Sequence, residues 1–487
     1  MRSRIKTLAA TVSLITAGLV PVRLTAQEQS AKQDKKEHHR YKLLDVGTLG
    51  GPNSYFTNVL FPLTNNDLAT GTADTGVAVS PPSCFFDCFA ADAFLWQNGV
   101  LTDLRPLPGD IGSNPSQINS KGVVAGVSLN HLDPVTFLPA FTAVVWKDGQ
   151  IIDLGTFGGT FSYASAINNR DQVVGFALNA TPDSFDLGDF CQNFPMPTQM
   201  RAFIWQRGVL RDLGTLGGTD SCALFVNDRG QTAGNSFTNS IVNPTTGLPT
   251  LHPFLWDDDK MMDLGTLGGT LAFVNGINSR GQVAGTSTLA GDQSSHPFVW
   301  DQGKLTDLGT LGGNFVEVIG LNDAGEVVGK AQLPGSATLH AFLAKKNASM
   351  IDLGSLEGEP CSVAININAK VQIVGFSDDC SGNNQHTFLW EDGRISDLNG
   401  FIPAGSNFTL TQALFINDRG EIAAQGVLPN GDQRAVLMIP CGEGEEGCEA
   451  ENTNSVTRRS SARGGPLSLM RPFRHGPGDR YRNRAQY

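Results

Sequence analysis

Much familiar catalytic machinery is missing from this 487-residue chain. It has no Gly-x-Ser-x-Gly and no His-Glu-x-x-His, so neither a hydrolase nucleophile elbow nor a zincin helix can be read from it. No Cys-x-x-Cys occurs, which removes the thioredoxin-like redox motif. Gly442-Glu-Gly-Glu-Glu-Gly447 has the spacing of a dinucleotide fingerprint, yet three glutamates stand where a pyrophosphate would sit, and no helix follows. Asn-Asp-Arg-Gly at 227–230 and 417–420 resembles a fragment of a calcium loop but lacks the alternating ligands and the closing Glu. No cofactor and no metal are therefore expected. Past residue 26, no apolar run approaches the roughly 20 residues of a membrane-crossing helix.

Cations are scarce in the body of the chain. The whole carries -12, but residues 41–448 alone carry -22, because lysine and arginine collect at the two ends. Such a body repels nucleic acid and anionic lipid and favours neutral or cationic partners. Arg2, Arg4 and Lys6 precede an apolar run from Leu8 to Val22 and then Ala26, which predicts a signal peptide over 1–26 and a secreted or periplasmic protein. A charged linker (27–40) follows. The far end, 449–487, holds eight arginines with little apolar content and reads as a disordered tail.

What the chain does have is a repeat. All six tryptophans, Trp96, Trp146, Trp205, Trp256, Trp300 and Trp390, fall at one position of a phrase close to His-Ala-Phe-Leu-Trp-x-x-Gly-x-Leu-x-Asp-Leu-Gly-Thr-Leu-Gly-Gly. A period of this size marks an array of small units that bury apolar faces against their neighbours. In the least interrupted stretch, 261–309, short alternating segments are separated by glycine-bearing turns at Asn278-Ser-Arg-Gly281 and Asp301-Gln-Gly303, giving four antiparallel strands per unit. Asn and Gly in these turns are expected to supply the special backbone angles.

The Asp-Leu strand, the Asn turn and the Phe-Leu-Trp strand each occur eight times, with Val144, Phe342 and Val436 as variants of the last. The array opens on a lone outer strand (41–46) and ends (435–439) without one. A ring resolves this mismatch, since the first strand can complete the last unit and no edge is left exposed. The fold expected is all-β, an eight-bladed β-propeller over 41–440 closed by its N-terminal strand. Seven blades with one degenerate unit is the alternative.

The repeated phrase, including Leu339-His-Ala-Phe342, resembles the bacterial "extracellular repeat, HAF family" over about residues 41–440. Arg201 and Thr387 depart from its pattern. The resemblance implies a propeller and an exported location; it carries no established activity and so no catalytic residue.

In such a blade the Asn turn and the Asp-Gln-Gly turn lie on one face of the ring, and the remaining connections lie on the other. All length variation falls on that second face. Counted after strand two, the loops hold 21, 16, 26, 18, 11, 11, 11 and 9 residues, so units one to four are elaborated. They offer Phe85, Phe86, Phe89, Phe137, Phe185, Phe190, Phe194 and Phe237 among Asp87, Asp183, Asp186 and Asp189, as aromatic platforms and carboxylates for a polysaccharide, peptide or cell-surface ligand.

Eight cysteines in an exported chain read as disulfides. Cys191 with Cys222 and Cys361 with Cys380 join connections that share the elaborated face; Cys84 with Cys88 and Cys441 with Cys448 form local staples, the last enclosing the acidic loop 441–448. His252, His296, His340 and His386 sit at equivalent positions, which ring symmetry holds apart, so they read as strand-to-loop hydrogen bonds and not as one metal site. Two functions follow: a monomeric, non-enzymatic binding scaffold, preferred because every recurring residue has a structural role, or a secreted glycan hydrolase or lyase using Asp183, Asp186 and Asp189.

Overall fold

The computed structural model describes residues 40–441, apart from 57–58, 80–87, 133–138, 184, 186, 188–190, 192–195, 383 and 404. The expected signal peptide, most of the linker, the loop after Cys441 and the arginine-rich tail lie outside the described residues. Among the described residues, no helix is long and apolar enough to cross a membrane.

The chain is an eight-bladed β-propeller. Blades 1 to 7 run over 50–104, 112–153, 158–214, 221–263, 268–307, 316–354 and 361–397, each four antiparallel strands in chain order. Blade 8 takes three strands from 409–440, and its outer strand is Tyr41–Asp45, paired from Tyr41 opposite Pro440 to Asp45 opposite Val436. Blades 4 and 5 are also bridged by one parallel pair, Leu251 with Leu271. Closure is direct: Ala435 N donates to Ser54 Oγ (3.0 Å), and Gln433 N donates to Asn53 Oδ1 (2.8 Å), joining blade 8 to blade 1.

Blade 5 shows why this sequence makes these strands. Its first strand, Gly268–Ile277, pairs with Val283–Leu289, which pairs with Ser295–Asp301, which pairs with Lys304–Asp307. The last two are joined by Gln302 and Gly303, both at positive φ (49° and 85°), the two-residue hairpin turn whose twist matches the strands. In the second strand Gly285 lies opposite Phe298, and a Cβ there would meet Phe273 O at 2.0 Å and the Phe298 ring at 2.7 Å. The ring of the repeated Phe thus fills the space that the missing side chain leaves. The pairing recurs as Gly71–Phe94, Gly175–Phe203, Gly234–Phe254, Gly329–Phe342 and Gly375–Phe388, and all six phenylalanines are sealed from solvent. Where valine replaces the phenylalanine, in blades 2 and 8, the pairs are Gly126–Val144 and Ala424–Val436.

The Asn turns work differently from the sequence expectation. Gly281 does hold positive φ (82°), but Asn278 is not among the left-handed residues. Its Oδ1 instead accepts from the backbone N–H of Arg280 and Gln282, at 3.1 and 3.0 Å, and its Nδ2 donates to the carbonyl of Asn322 in the next blade at 3.2 Å. The side chain is thus both turn cap and stitch. The same link runs from Asn119 through Asn168, Asn227, Asn278, Asn322 and Asn368 to Asn417, which donates to Thr64 O in blade 1. Asn66 Nδ2 to Ser120 O, at 3.2 Å, completes the circuit.

Candidate binding face

The face opposite these tight turns carries the connections between second and third strands and from blade to blade. At the foot of every connection between blades sits the repeated Asp. Asp263 Oδ1 accepts from Gly265 N at 2.8 Å, and Asp153, Asp212, Asp307 and Asp352 do the same to Gly155, Gly214, Gly309 and Gly354. Three of these carboxylates also receive the histidine of the phrase: His252, His296 and His340 reach Asp263, Asp307 and Asp352 through Nδ1 at 2.8–2.9 Å. His386 turns instead to Glu359, at 3.0 Å. Arg201 replaces the histidine in blade 3 and keeps the contact, to Asp212 at 3.1 Å.

Blade 1 breaks this rule. The residue at the histidine position is Asp92, which confronts the repeated acid Asp103 with another carboxylate. Burial, followed by the Asp103 charge, pushes Asp92 up to about 7, against the opposing pull of Arg105 and the Ser113 N–H. A second such pair lies over blades 3 and 4. Asp220 is sealed from solvent, accepts from Met200 N at 2.6 Å and from Thr219 Oγ1 at 2.5 Å, and shares a hydrogen bond with Asp183. Burial drives its carboxyl up to about 7, with Asp183 adding to the rise and the Thr219 and Met200 donors opposing it.

Beneath the long loop of blade 3 lies an apolar cluster reaching from blade 2 to blade 5. Phe141, Phe161, Tyr163, Phe176, Leu187, Phe237 and Phe273 belong to it, and Phe185 packs against it half-buried. Tyr163 and Phe176 stack at 5.6 Å, and Phe141 meets Phe161 edge-on at 5.3 Å. Of the sequence candidates, then, Phe185 and Phe237 pin loops down, Phe89 opens the third strand of blade 1 half-buried, and Asp183 holds Asp220. Phe85, Phe86, Phe137, Phe190, Phe194, Asp87, Asp186 and Asp189 lie outside the described residues.

Both long-range disulfides are on this face. Cys191 bonds Cys222, tying the blade 3 loop to the first strand of blade 4, and Cys361 bonds Cys380 within blade 7. Asp378 lies beside Cys361 and Cys380, but the two sulfurs are joined and cannot serve as thiolate ligands. Cys88 and Cys441 are disulfide-bonded as well, and Cys84 and Cys448, their expected partners, lie outside the described residues. The blade 4 loop is held by Asn243, whose Nδ2 donates to Asp292 of blade 5 at 3.2 Å.

Charge divides sharply between the faces. Assigned by the strand end or connection to which each belongs, the described residues of the elaborated face comprise 20 carboxylates and 4 lysines or arginines; the tight-turn face has 14 and 16. A groove of about 920 Å³ runs between blades 1 and 2 past Leu95, Trp146 and Ile151. Its lysines are already paired, Lys147 with Asp171 at 2.8 Å and Lys121 with the same acid at 3.4 Å.

No family model and no curated protein matches the chain. Among solved structures it is similar to the β-propeller domain of the Trilobed protease from Pyrococcus furiosus, at 9% identity and a TM-score of 0.38, over 71% of this chain and 98% of that one. It is similar too to a puromycin-hydrolyzing peptidase of Mycobacterium tuberculosis (11% identity, TM-score 0.42, 80% of this chain and 61% of that one) and to dipeptidyl peptidase 4 of Porphyromonas gingivalis (9%, 0.40, 85% and 67%). At these values the likeness concerns the fold alone.

Proposed function

We propose that this protein is an exported, non-enzymatic binding scaffold of the HAF-repeat kind, which meets its ligand with the long loops of blades 1 to 4. The observation that carries this reading is the division of labour in the repeat. Asp caps the connection, His or Arg braces it, Asn stitches the blades and Gly admits Phe, so each recurring polar residue already has a structural partner. Only the long loops vary freely, and a rigid ring presenting variable loops is the usual arrangement of a binding protein.

The enzymatic alternative leans on Asp183 and its neighbours, and geometry argues against the described part of it. Two glycosidase carboxyls stand roughly 5–10 Å apart around a sugar. Asp183 and Asp220 instead share a hydrogen bond, and Asp220 is sealed from solvent. A polysaccharide and peptide array read for both retention and product release tests the proposal. Retention without products, lost when 183–197 is replaced by a short turn in a Cys222→Ala background that still melts cooperatively, is the expected result. Product release removed by Asp183→Asn overturns it.

A further inference from the structure

We propose that the arginine-rich segment 449–487 docks in cis across the acidic face of its own propeller. This goes beyond the scaffold reading and does not depend on any external ligand.

The face supplies the site. Six of its 20 described carboxylates and one of its 4 bases are buried, which leaves 14 carboxylates facing only 3 lysines or arginines, whereas the opposite face has no such excess of acid, so a cationic segment has one side of the ring to choose. The carboxylates that ring this face are open to it: the side chains of Asp45, Asp212, Asp263, Asp307 and Asp352 are each 39–45% exposed even while capping glycines or bracing His and Arg. Their structural bonds fix them in place and leave accessible carboxylate oxygen, which matches the planar, multi-donor guanidinium better than a lysine.

The chain supplies the occupant. Between 458 and 484 lie eight arginines and one acid, Asp479, and this is the only strongly basic stretch after the body begins. The last described strand, Gln433–Pro440, ends on the tight-turn face. Crossing the height of the ring means retracing its eight residues, about 27 Å at the usual strand rise. Arg458 stands 17 residues beyond Cys441, and even with Cys441 stapled to Cys448 the ten residues from 448 to 458 can still extend about 33 Å, so the first arginine already reaches the far rim. Tethering holds the segment at an effective concentration on the order of millimolar, which favours the body over dilute anions in solution. Lipid and nucleic acid are thereby demoted to competitors.

The test uses the full chain with a photo-crosslinking amino acid in place of Phe473. Monomeric crosslinks into the blade connections near 264–269, 308–313 and 353–360 are expected, and they should fade between about 50 and 500 mM NaCl as screening shortens to a few ångströms. A second arm adds a labelled 449–487 peptide to the intact chain and to a full-length variant with all eight arginines changed to glutamine. The variant should bind the peptide at least tenfold more tightly, because its own acidic face is vacant. Equal affinities, no peptide binding, crosslinks to 278–281 or 301–304, crosslinks only between molecules, or wild-type binding to anionic vesicles as tight as that of the free peptide would each overturn the proposal.

Discussion

The two faces of the ring are built from the same repeat and obey different rules. On the tight-turn face one solution recurs in blade after blade: an Asn caps its own turn and donates across to the next carbonyl, at 2.9–3.2 Å throughout. On the opposite face the loops differ in length, two disulfides cross them, one carboxyl pair stands where other blades pair acid with base, and a second is buried over blades 3 and 4. Fixing one face is sufficient to define the ring's geometry, since blades 1 and 3 keep the repeated pairs Gly71–Phe94 and Gly175–Phe203 even though their strand ends beside the long connections shift register. The variable face then needs supports of its own.

The comparison can be broken most strongly at those supports. Cys191 and Cys222 close a loop with a sequence separation of 31, and the chain-entropy model makes such a link worth about 3–4 kcal/mol. Changing both to Ala should lower the urea midpoint and open 183–197 to proteolysis while blades 5 to 8 keep their hydrogen-exchange protection. A uniform loss of protection around the ring would mean that the elaborated face carries the architecture as well.

Next in size is the stitch. Asn278→Ala removes a cap to two N–H groups and the bond to Asn322 O, a carbonyl that then keeps only the Gly325 N–H at 3.1 Å, at a cost of about 2–3 kcal/mol. The loss should be global, read as a lower melting temperature with intact cooperativity. Asn278→Asp keeps the acceptor but not the donor, so it should fall between Ala and wild type; an Asp variant as weak as Ala would deny the cap its share.

Much of this was legible from the residues alone. The blade count and the closing strand follow from tallies of three short phrases, and the pairs Cys191–Cys222 and Cys361–Cys380 follow from which connections share a face. The Asn was misread because turn chemistry usually acts through φ, and a single repeat cannot show that the side chain reaches the next one. The first strands hold another hidden regularity: Ser116, Ser165, Leu224, Asn275, Ile319, Ile365 and Leu414 are each skipped in the pairing, a bulge at one repeat position. Their side chains share no chemistry, so composition could not reveal it. Asp92 could have been found, since aligning the phrase places it where other blades carry histidine. Asp220 could not, because its burial depends on a loop folding over it.

The smallest effect sharpens the comparison through pH. Asp220 has a folded pKa near 7, above the ordinary value of 3.8, so between those limits the folded protein holds a proton that the unfolded chain has released. Stability from this group is therefore fully present below about pH 4 and is lost as pH rises to about 7. The full interval would correspond to about 4 kcal/mol, but the loop can open and hydrate an ionised pair, which holds the expected loss to about 1–2 kcal/mol. Asp220→Asn removes the ionisation while keeping an acceptor for Met200 N, so its melting temperature should fall less than wild type between pH 5 and pH 8. Asp92 and Asp378, also raised chiefly by burial, leave a residual slope of the same sign. Adding Asp92→Asn should flatten that slope further and independently, since the two pairs sit in separate blades. A double variant with the wild-type slope would show that the pH response of the ring arises elsewhere than in its carboxyl pairs.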